Sequence, residues 1–105
     1  MKKYIKKLAD YLIQNKTTIT VAESLTGGLI SSMLCEVSGI SEVFLEGIVV
    51  YTNNSKITRL GVKKETIDKY TAVSAEVAIE MAEGVRRNLS SDIGISTTGL
   101  AGPLE

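Results

Sequence analysis

The segment AESLTGG, residues 22–28, combines side chains that are typical of nucleophilic and phosphate-binding sites. Ser24 closely follows a run of β-branched and apolar residues, and Thr26, Gly27 and Gly28 come after it, separated from it only by Leu25. A hydroxyl at this position can cap the helix that follows, bind a phosphate beside the helix amides, or attack a carbonyl carbon. For the segment alone, capping is the favoured interpretation, because motifs this short recur by chance.

A reaction at Ser24 needs a base other than imidazole, because the chain contains no histidine. Lys56 is the candidate, since burial or a nearby cation lowers the pKa of a lysine toward neutrality. Tyr51 could relay the proton or orient the hydroxyl, which would give a triad with lysine in place of histidine. Amides at Thr26 or the two glycines after it could stabilise the oxyanion. Taken alone, Tyr51 and Lys56 are better explained as a strand-end aromatic and a surface lysine.

The spacing of apolar residues predicts strands and helices in alternation. Runs of β-branched and apolar residues predict strands at 17–22, 43–51 and 92–97. Helical spacing predicts helices at 3–15, from 26 to about 37, and from the cap Ser74 onward. The nearly continuous apolar character of the second strand suits burial on both faces. Together these elements predict a three-layer α/β/α fold with a mostly parallel sheet.

A polar or glycine-rich segment follows each predicted strand. The first strand is followed by ESLTGG, the second by Tyr51, Asn53 and Lys56, and the third by TTGLAGP. The carboxyl ends of parallel strands share one edge, where ligands bind in open α/β sheets. We therefore expect the three segments to converge on one site, although each could be an ordinary loop by itself.

Composition narrows the class of protein. The 105 residues suit one domain, and 12 basic side chains balance 12 acidic ones, so no charge excess attracts nucleic acid. No apolar run approaches the ~20 residues of a membrane span. The single Cys35, expected to be buried on its helix, favours a reducing cytoplasm. Without histidine and with one cysteine the usual zinc ligand sets cannot form. Carboxylate-bound Mg²⁺ stays open, but no acidic cluster indicates it, so we expect no metal and no cofactor.

Four segments, in this order, resemble the C-terminal domain of the competence-damage-inducible CinA proteins: AESLTGG, GIVVYTNNSKITRLGV, AVSAEVAIEMAEGVR and STTGLAGP. The resemblance runs from about Ile5 to Pro103. Stand-alone members of that family are nicotinamide-nucleotide amidohydrolases. The resemblance therefore implies hydrolysis of the carboxamide of nicotinamide mononucleotide to nicotinic acid mononucleotide and ammonia, a salvage step in pyridine-nucleotide recycling.

The resemblance also implies roles for individual residues. Ser24 matches the family's nucleophile, Lys56 its lysine partner, and Tyr51 the tyrosine of the Y-x-N-x-x-K segment. Thr98 and Gly99 match the last loop, which lines the nucleotide site. The full set expected to contact substrate is Thr26, Gly27, Gly28, Asn53, Thr98, Gly99, Ala101 and Gly102. Leu25 stands where many members carry cysteine, and this difference puts little of the implied function in doubt.

The resemblance further implies that residues 1–103 form only part of the family's domain. The family continues past Pro103 into further strands, a final helix and an arginine that binds the substrate phosphate, whereas Leu104 and Glu105 resemble a cloning junction. We therefore expect an open sheet edge, self-association by edge pairing or exchange, and weak or absent activity of this chain.

The main alternative is a nucleotide- or phosphate-binding accessory module of a longer competence-related protein. Lys56 distinguishes the two hypotheses. An amidase needs its amine within about 2.6–3.2 Å of the Ser24 hydroxyl, whereas a binding module needs it only near a phosphate. A third hypothesis, suggested by the family's name alone, is a competence- or DNA-damage-related partner protein. The neutral charge and the lack of a basic nucleic-acid motif disfavour direct DNA binding by such a protein.

Overall fold

A parallel three-stranded sheet forms the middle layer of the computed structural model, which describes residues 2–99. Strand β1 (Ile19–Glu23) pairs with β2 (Phe44–Val49) on one side and with β3 (Ile93–Thr97) on the other. The last residue of β1, Glu23, lies opposite Val49 and Thr97, so the three carboxyl ends share one edge. The predicted parallel α/β fold is confirmed.

Helices cover both faces of this sheet. On one face lie α1 (Lys2–Asn15), α2 (Leu29–Cys35) and a single 3-10 turn (Ile40–Glu42). On the other lie α3 (Asn53–Leu60), α4 (Lys64–Tyr70) and α5 (Ala75–Leu89). Each face has its own hydrophobic core, and β1 contributes to both because alternate residues of a strand point to opposite sides. None of the helices formed by residues 2–99 has the length and apolar character needed to cross a bilayer.

Strand β1 is buried along its whole length, whereas β2 is not. The side chains of Leu45 and Val49 are 42% and 47% exposed. The prediction that the second strand is covered on both faces is therefore wrong. The reason is its position, since β2 lies at the edge of the sheet formed by the described residues and the seven-residue α2 covers little of it.

Local sequence signals set the helix ends that position the site. Thr52 caps α3 by accepting a hydrogen bond from the Ser55 amide, and Gly61 ends that helix with a φ of 71°. Ser74 caps α5 as predicted, accepting from the Val77 amide at 3.1 Å. Because Lys56 lies in the first turn of α3, the Thr52 cap places it directly after the end of β2.

Helix α2 differs most from the prediction. It begins at Leu29 rather than at residue 26, because Gly27 and Gly28 adopt left-handed φ angles of 67° and 104° and form a turn. Met33 and Leu34 are its buried residues. Cys35 is exposed at the last position of the helix, so the prediction that it is buried is wrong.

Candidate active site

A cleft of about 300 Å³ opens at the carboxyl edge of the sheet. Its walls come from four segments that are distant in sequence. The lining residues are Ser24, Leu25, Tyr51, Asn53, Lys56, Ala72, Val73, Thr98 and Gly99. The three segments expected to converge thus do meet, and six of the predicted site residues line one cleft.

Ser24 and Lys56 are in direct contact inside this cleft. Lys56 Nζ lies 3.1 Å from Ser24 Oγ, and it also donates to the main-chain carbonyl of Tyr51 at 3.2 Å. Both side chains are buried, with exposed fractions of 5% for Ser24 and 2% for Lys56. The separation meets the distance condition that distinguishes a serine–lysine pair from a lysine that only approaches a phosphate.

The environment of Lys56 makes its amine less basic than that of an exposed lysine. Burial lowers the pKa of Lys56 below its ordinary value of 10.5, because the charged form loses its hydration. Its two hydrogen-bond partners, a hydroxyl and a carbonyl, carry no full negative charge that would offset this loss. The ion pairs within residues 2–99 are made by other lysines, all on the surface. A neutral amine has the free electron pair that a general base requires.

Tyr51 and Asn53 lie where the cleft meets solvent. The side chain of Tyr51 is 66% exposed, and its contact with Lys56 is made by the main-chain carbonyl rather than by the phenol hydroxyl. The role predicted for that hydroxyl stays a prediction. Asn53 is the exposed first residue of α3.

The segment after β3 closes another side of the cleft. The Thr98 hydroxyl donates to the carbonyl of Ala72 at 2.8 Å, which joins this segment to the loop before α5. A Cβ atom on Gly99 would lie 2.7 Å from Cδ2 of Leu25, so a larger residue at 99 would displace a wall of the cleft. The predicted residues Ala101 and Gly102 lie outside the described residues.

Three residues of the first motif do not line the cleft: Thr26, Gly27 and Gly28. Gly27 and Gly28 supply the turn before α2, and the Thr26 hydroxyl donates to Glu23 Oε1 at 2.7 Å. The amides of residues 25–28 donate to none of the residues that the structure describes. Of these four residues, only Leu25 lines the cleft.

Sequence reasoning assigned no role to Glu23, Ala72 or Val73. Ala72 and Val73 precede a helix rather than follow a strand, so the rule that ligands bind after strands does not find them. The sequence did contain a signal for Glu23. An acidic residue at the end of an otherwise buried strand must find hydrogen-bond donors. Burial raises the pKa of the Glu23 carboxyl, but hydrogen bonds from Ser31, Thr26 and Ile30 outweigh burial and the net pKa is lowered.

Comparisons with known proteins agree with the resemblance in the sequence. Residues 1–105 match the CinA C-terminal domain family. A putative competence-damage inducible protein of Clostridioides difficile (strain 630) is 61% identical over 96 residues, which cover 91% of this chain and 23% of that protein. One from Clostridium botulinum (strain ATCC 19397 / Type A) is 58% identical over 96 residues, or 91% of this chain and 24% of that protein. The chain thus spans about a quarter of the length of these relatives.

Solved structures show the same fold. A competence-damaged protein (CinA) superfamily protein of Escherichia coli superposes with a TM-score of 0.90 at 35% identity, covering 94% of this chain and 58% of that one. A competence or damage-inducible protein of Enterobacter asburiae superposes with a TM-score of 0.92 at 39% identity, covering 97% of this chain and 64% of that one.

Proposed function

We propose, since this chain belongs to the CinA C-terminal domain family, that it carries the site of a serine amidohydrolase in which Lys56 is the base. The proposed substrate is the carboxamide of nicotinamide mononucleotide, and the products are nicotinic acid mononucleotide and ammonia. The observation that carries the proposal is the 3.1 Å contact between Lys56 Nζ and Ser24 Oγ in a buried cleft. The single exposed cysteine suits a cytoplasmic setting.

The first half-reaction forms an ester on Ser24. Neutral Lys56 accepts the hydroxyl proton while Ser24 Oγ bonds to the carboxamide carbon. The Tyr51 carbonyl accepts one N–H of the lysine and so helps to orient the nitrogen electron pair toward Oγ. The charge that develops on the amide oxygen needs a donor, and the amide of the residue after the nucleophile often supplies it. We assign that role to Leu25, which lines the cleft and whose N–H donates to none of the described residues.

Loss of ammonia completes the ester and ends the first half-reaction, and the second half-reaction then hydrolyses that ester. The Lys56 ammonium returns its proton to the amide nitrogen as the C–N bond breaks, and ammonia leaves. Lys56 then takes a proton from a water molecule whose oxygen attacks the ester carbon. The Ser24 Oγ–carbon bond breaks, the hydroxyl regains its proton, and the carboxylic acid leaves. One water is consumed for each amide hydrolysed.

The cleft also suits a small polar substrate. Its volume of about 300 Å³ lies at the lower end of the range for small-molecule sites. Leu25, Ala72 and Val73 supply apolar surface for an aromatic ring, and Asn53 and Thr98 supply polar groups. We therefore propose that the nicotinamide ring enters the cleft and that the ribose phosphate stays near its mouth.

Ammonia release from nicotinamide mononucleotide tests this proposal in the wild type and in the variants Ser24→Ala and Lys56→Ala. Each substitution removes a reacting group, so we expect turnover to fall by at least about 10³-fold. Lys64→Ala is the matched control, because this surface lysine pairs with Asp68 away from the cleft and should leave turnover unchanged. Wild-type turnover in both site variants would refute the assignment. Substrate binding without turnover both in this chain and in the longer Clostridioides difficile relative would favour the accessory-module alternative.

A second assay is needed because we expect weak turnover from this chain. Fluorophosphonates react covalently with activated serine hydroxyls, and intact-mass spectrometry follows the reaction without any substrate. We expect labelling at Ser24 that is absent in Ser24→Ala and slow in Lys56→Ala. The Clostridioides difficile relative, with the equivalent substitutions, serves as a longer reference for both assays.

A further inference from the structure

Glu23 lies directly before the proposed nucleophile, yet its side chain is on the opposite face of the sheet. Ser24 faces α3, whereas the Glu23 carboxylate faces α2. Glu23 is fully buried, with an exposed fraction of 0%. Oε1 accepts hydrogen bonds from the Thr26 hydroxyl at 2.7 Å and from the Ile30 amide at 2.8 Å. Oε2 accepts from the amide and the hydroxyl of Ser31 at 2.9 and 2.7 Å.

These contacts fix both ends of the loop that contains the nucleophile. The main chain of Glu23 is held in the sheet, where its carbonyl accepts the Val50 amide at 2.8 Å. Its side chain holds the first turn of α2 through the amides of Ile30 and Ser31. Residues 24–28 lie between these two anchors, and the carboxylate also holds the middle of the loop through Thr26. One side chain therefore contacts both the middle of the loop and the helix that follows it.

We propose that Glu23 is a positioning residue, which holds the loop of residues 24–28 so that Ser24 Oγ stays within hydrogen-bond distance of Lys56 Nζ. The inference rests on the proposed function of Ser24. If Glu23 only capped α2, its loss would lower the stability of the fold but leave the reactivity of Ser24 unchanged in molecules that remain folded. If it positions the loop, reactivity falls as well.

The chain contains a matched control for this distinction. Glu80 makes the same kinds of contact at the start of α4, away from the cleft. Its Oε1 accepts the Lys63 amide at 2.8 Å, and its Oε2 accepts the Thr66 hydroxyl at 2.7 Å. Glu23→Gln and Glu80→Gln each remove a carboxylate that holds a helix start, but only Glu23→Gln alters the loop of the nucleophile.

The test compares the rates at which a fluorophosphonate labels Ser24 in the wild type, Glu23→Gln and Glu80→Gln, below the unfolding temperature of each. We expect Glu23→Gln to react about tenfold more slowly at every pH, because misplacement of a reacting atom lowers the rate. The midpoint of its pH profile should not move, because Lys56 determines that midpoint. Glu80→Gln should lose thermal stability but label at the wild-type rate.

A folded Glu23→Gln variant that labels at the wild-type rate would overturn the inference. If that variant does not fold, Thr26→Val distinguishes a positioning role from a capping role. This variant removes one donor to the carboxylate and keeps the shape of the side chain. A slowdown of about threefold supports the inference, and an unchanged rate overturns it. If wild-type Ser24 labels no faster than the Ser24→Ala background, the proposed function itself fails. By contrast, if the wild type labels well and Glu23→Gln labels at the same rate, only the inference about Glu23 fails.

Discussion

Replacing Gly84 by alanine should slow the reaction at Ser24 without changing any residue of the cleft. Gly84 lies on α5 where this helix packs against the end of α3. A Cβ atom at this position would lie 2.8 Å from the carbonyl carbon of Leu60 and closer still to its oxygen. Leu60 follows Lys56 by one turn of the same helix, so a displacement of α3 moves the proposed base.

The expected displacement follows from ordinary contact distances. Non-bonded atoms pack at about 3.5–4.0 Å, so α3 and α5 must separate by about 1 Å to admit the new methyl group. Ser24 directly follows β1, so we expect it to stay with the sheet when α3 moves. The contact between Lys56 Nζ and Ser24 Oγ, now 3.1 Å, would therefore lengthen beyond hydrogen-bond range. A misplacement of about 1 Å costs about 10²-fold in rate, and overpacking of this kind costs about 1–3 kcal/mol of stability.

The assay is the rate at which a fluorophosphonate labels Ser24 in folded protein, with the unfolding temperature measured in parallel. Leu12→Ala is the control, because Leu12 is fully buried in the core on the other face of the sheet. Its loss should cost about 2–5 kcal/mol of stability without displacing α3. The reasoning fails if Gly84→Ala labels at the wild-type rate, or if Leu12→Ala slows labelling to the same extent.

Three further predictions concern Lys56 and the open sheet edge. The labelling rate should rise with pH and level off above the lowered pKa of Lys56, because only the neutral amine can accept a proton; a flat profile would contradict this. Between that folded-state pKa and 10.5 the unfolded chain binds more protons, so the free energy of unfolding of the wild type should rise with pH relative to Lys56→Met. Denaturant titrations from about pH 7 to 10 measure this difference, and parallel curves for the two proteins would refute it. The exposed Leu45 and Val49 on the edge strand β2 should support self-association, so a clean 11.3 kDa monomer in gel filtration would count against that prediction.

The sequence was sufficient to predict that the segments after the three strands meet at the sheet edge. Ser24, Lys56 and Thr98 each follow a different strand, and parallel strands place their carboxyl ends together whatever the details of packing. The caps at Thr52 and Ser74 were predictable for a related reason. A cap is decided by a side chain and an amide three residues later, so it depends on local sequence.

Features that depend on distant neighbours were not predictable. The exposure of β2 depends on its place at the edge of the sheet, which strand order determines and local hydrophobicity does not. Cys35 is exposed because Met33 and Leu34 occupy the buried face of a helix shorter than predicted. The amides at the start of α2 have a partner, Glu23, that is seven and eight residues away from them in the chain.

The position of Glu23 also bears on the choice between catalysis and phosphate binding at the first motif. A helix start attracts phosphate because its amides point outward and carry partial positive charge. In α2, the Ile30 and Ser31 amides already donate to a carboxylate, and the lowered pKa of Glu23 keeps that group ionised at neutral pH. A phosphate approaching the Ile30 and Ser31 amides would meet occupied donors and a like charge. Ser24 faces the other side of the sheet, toward an amine that burial makes less basic, and this arrangement suits the proposed attack on a carbonyl.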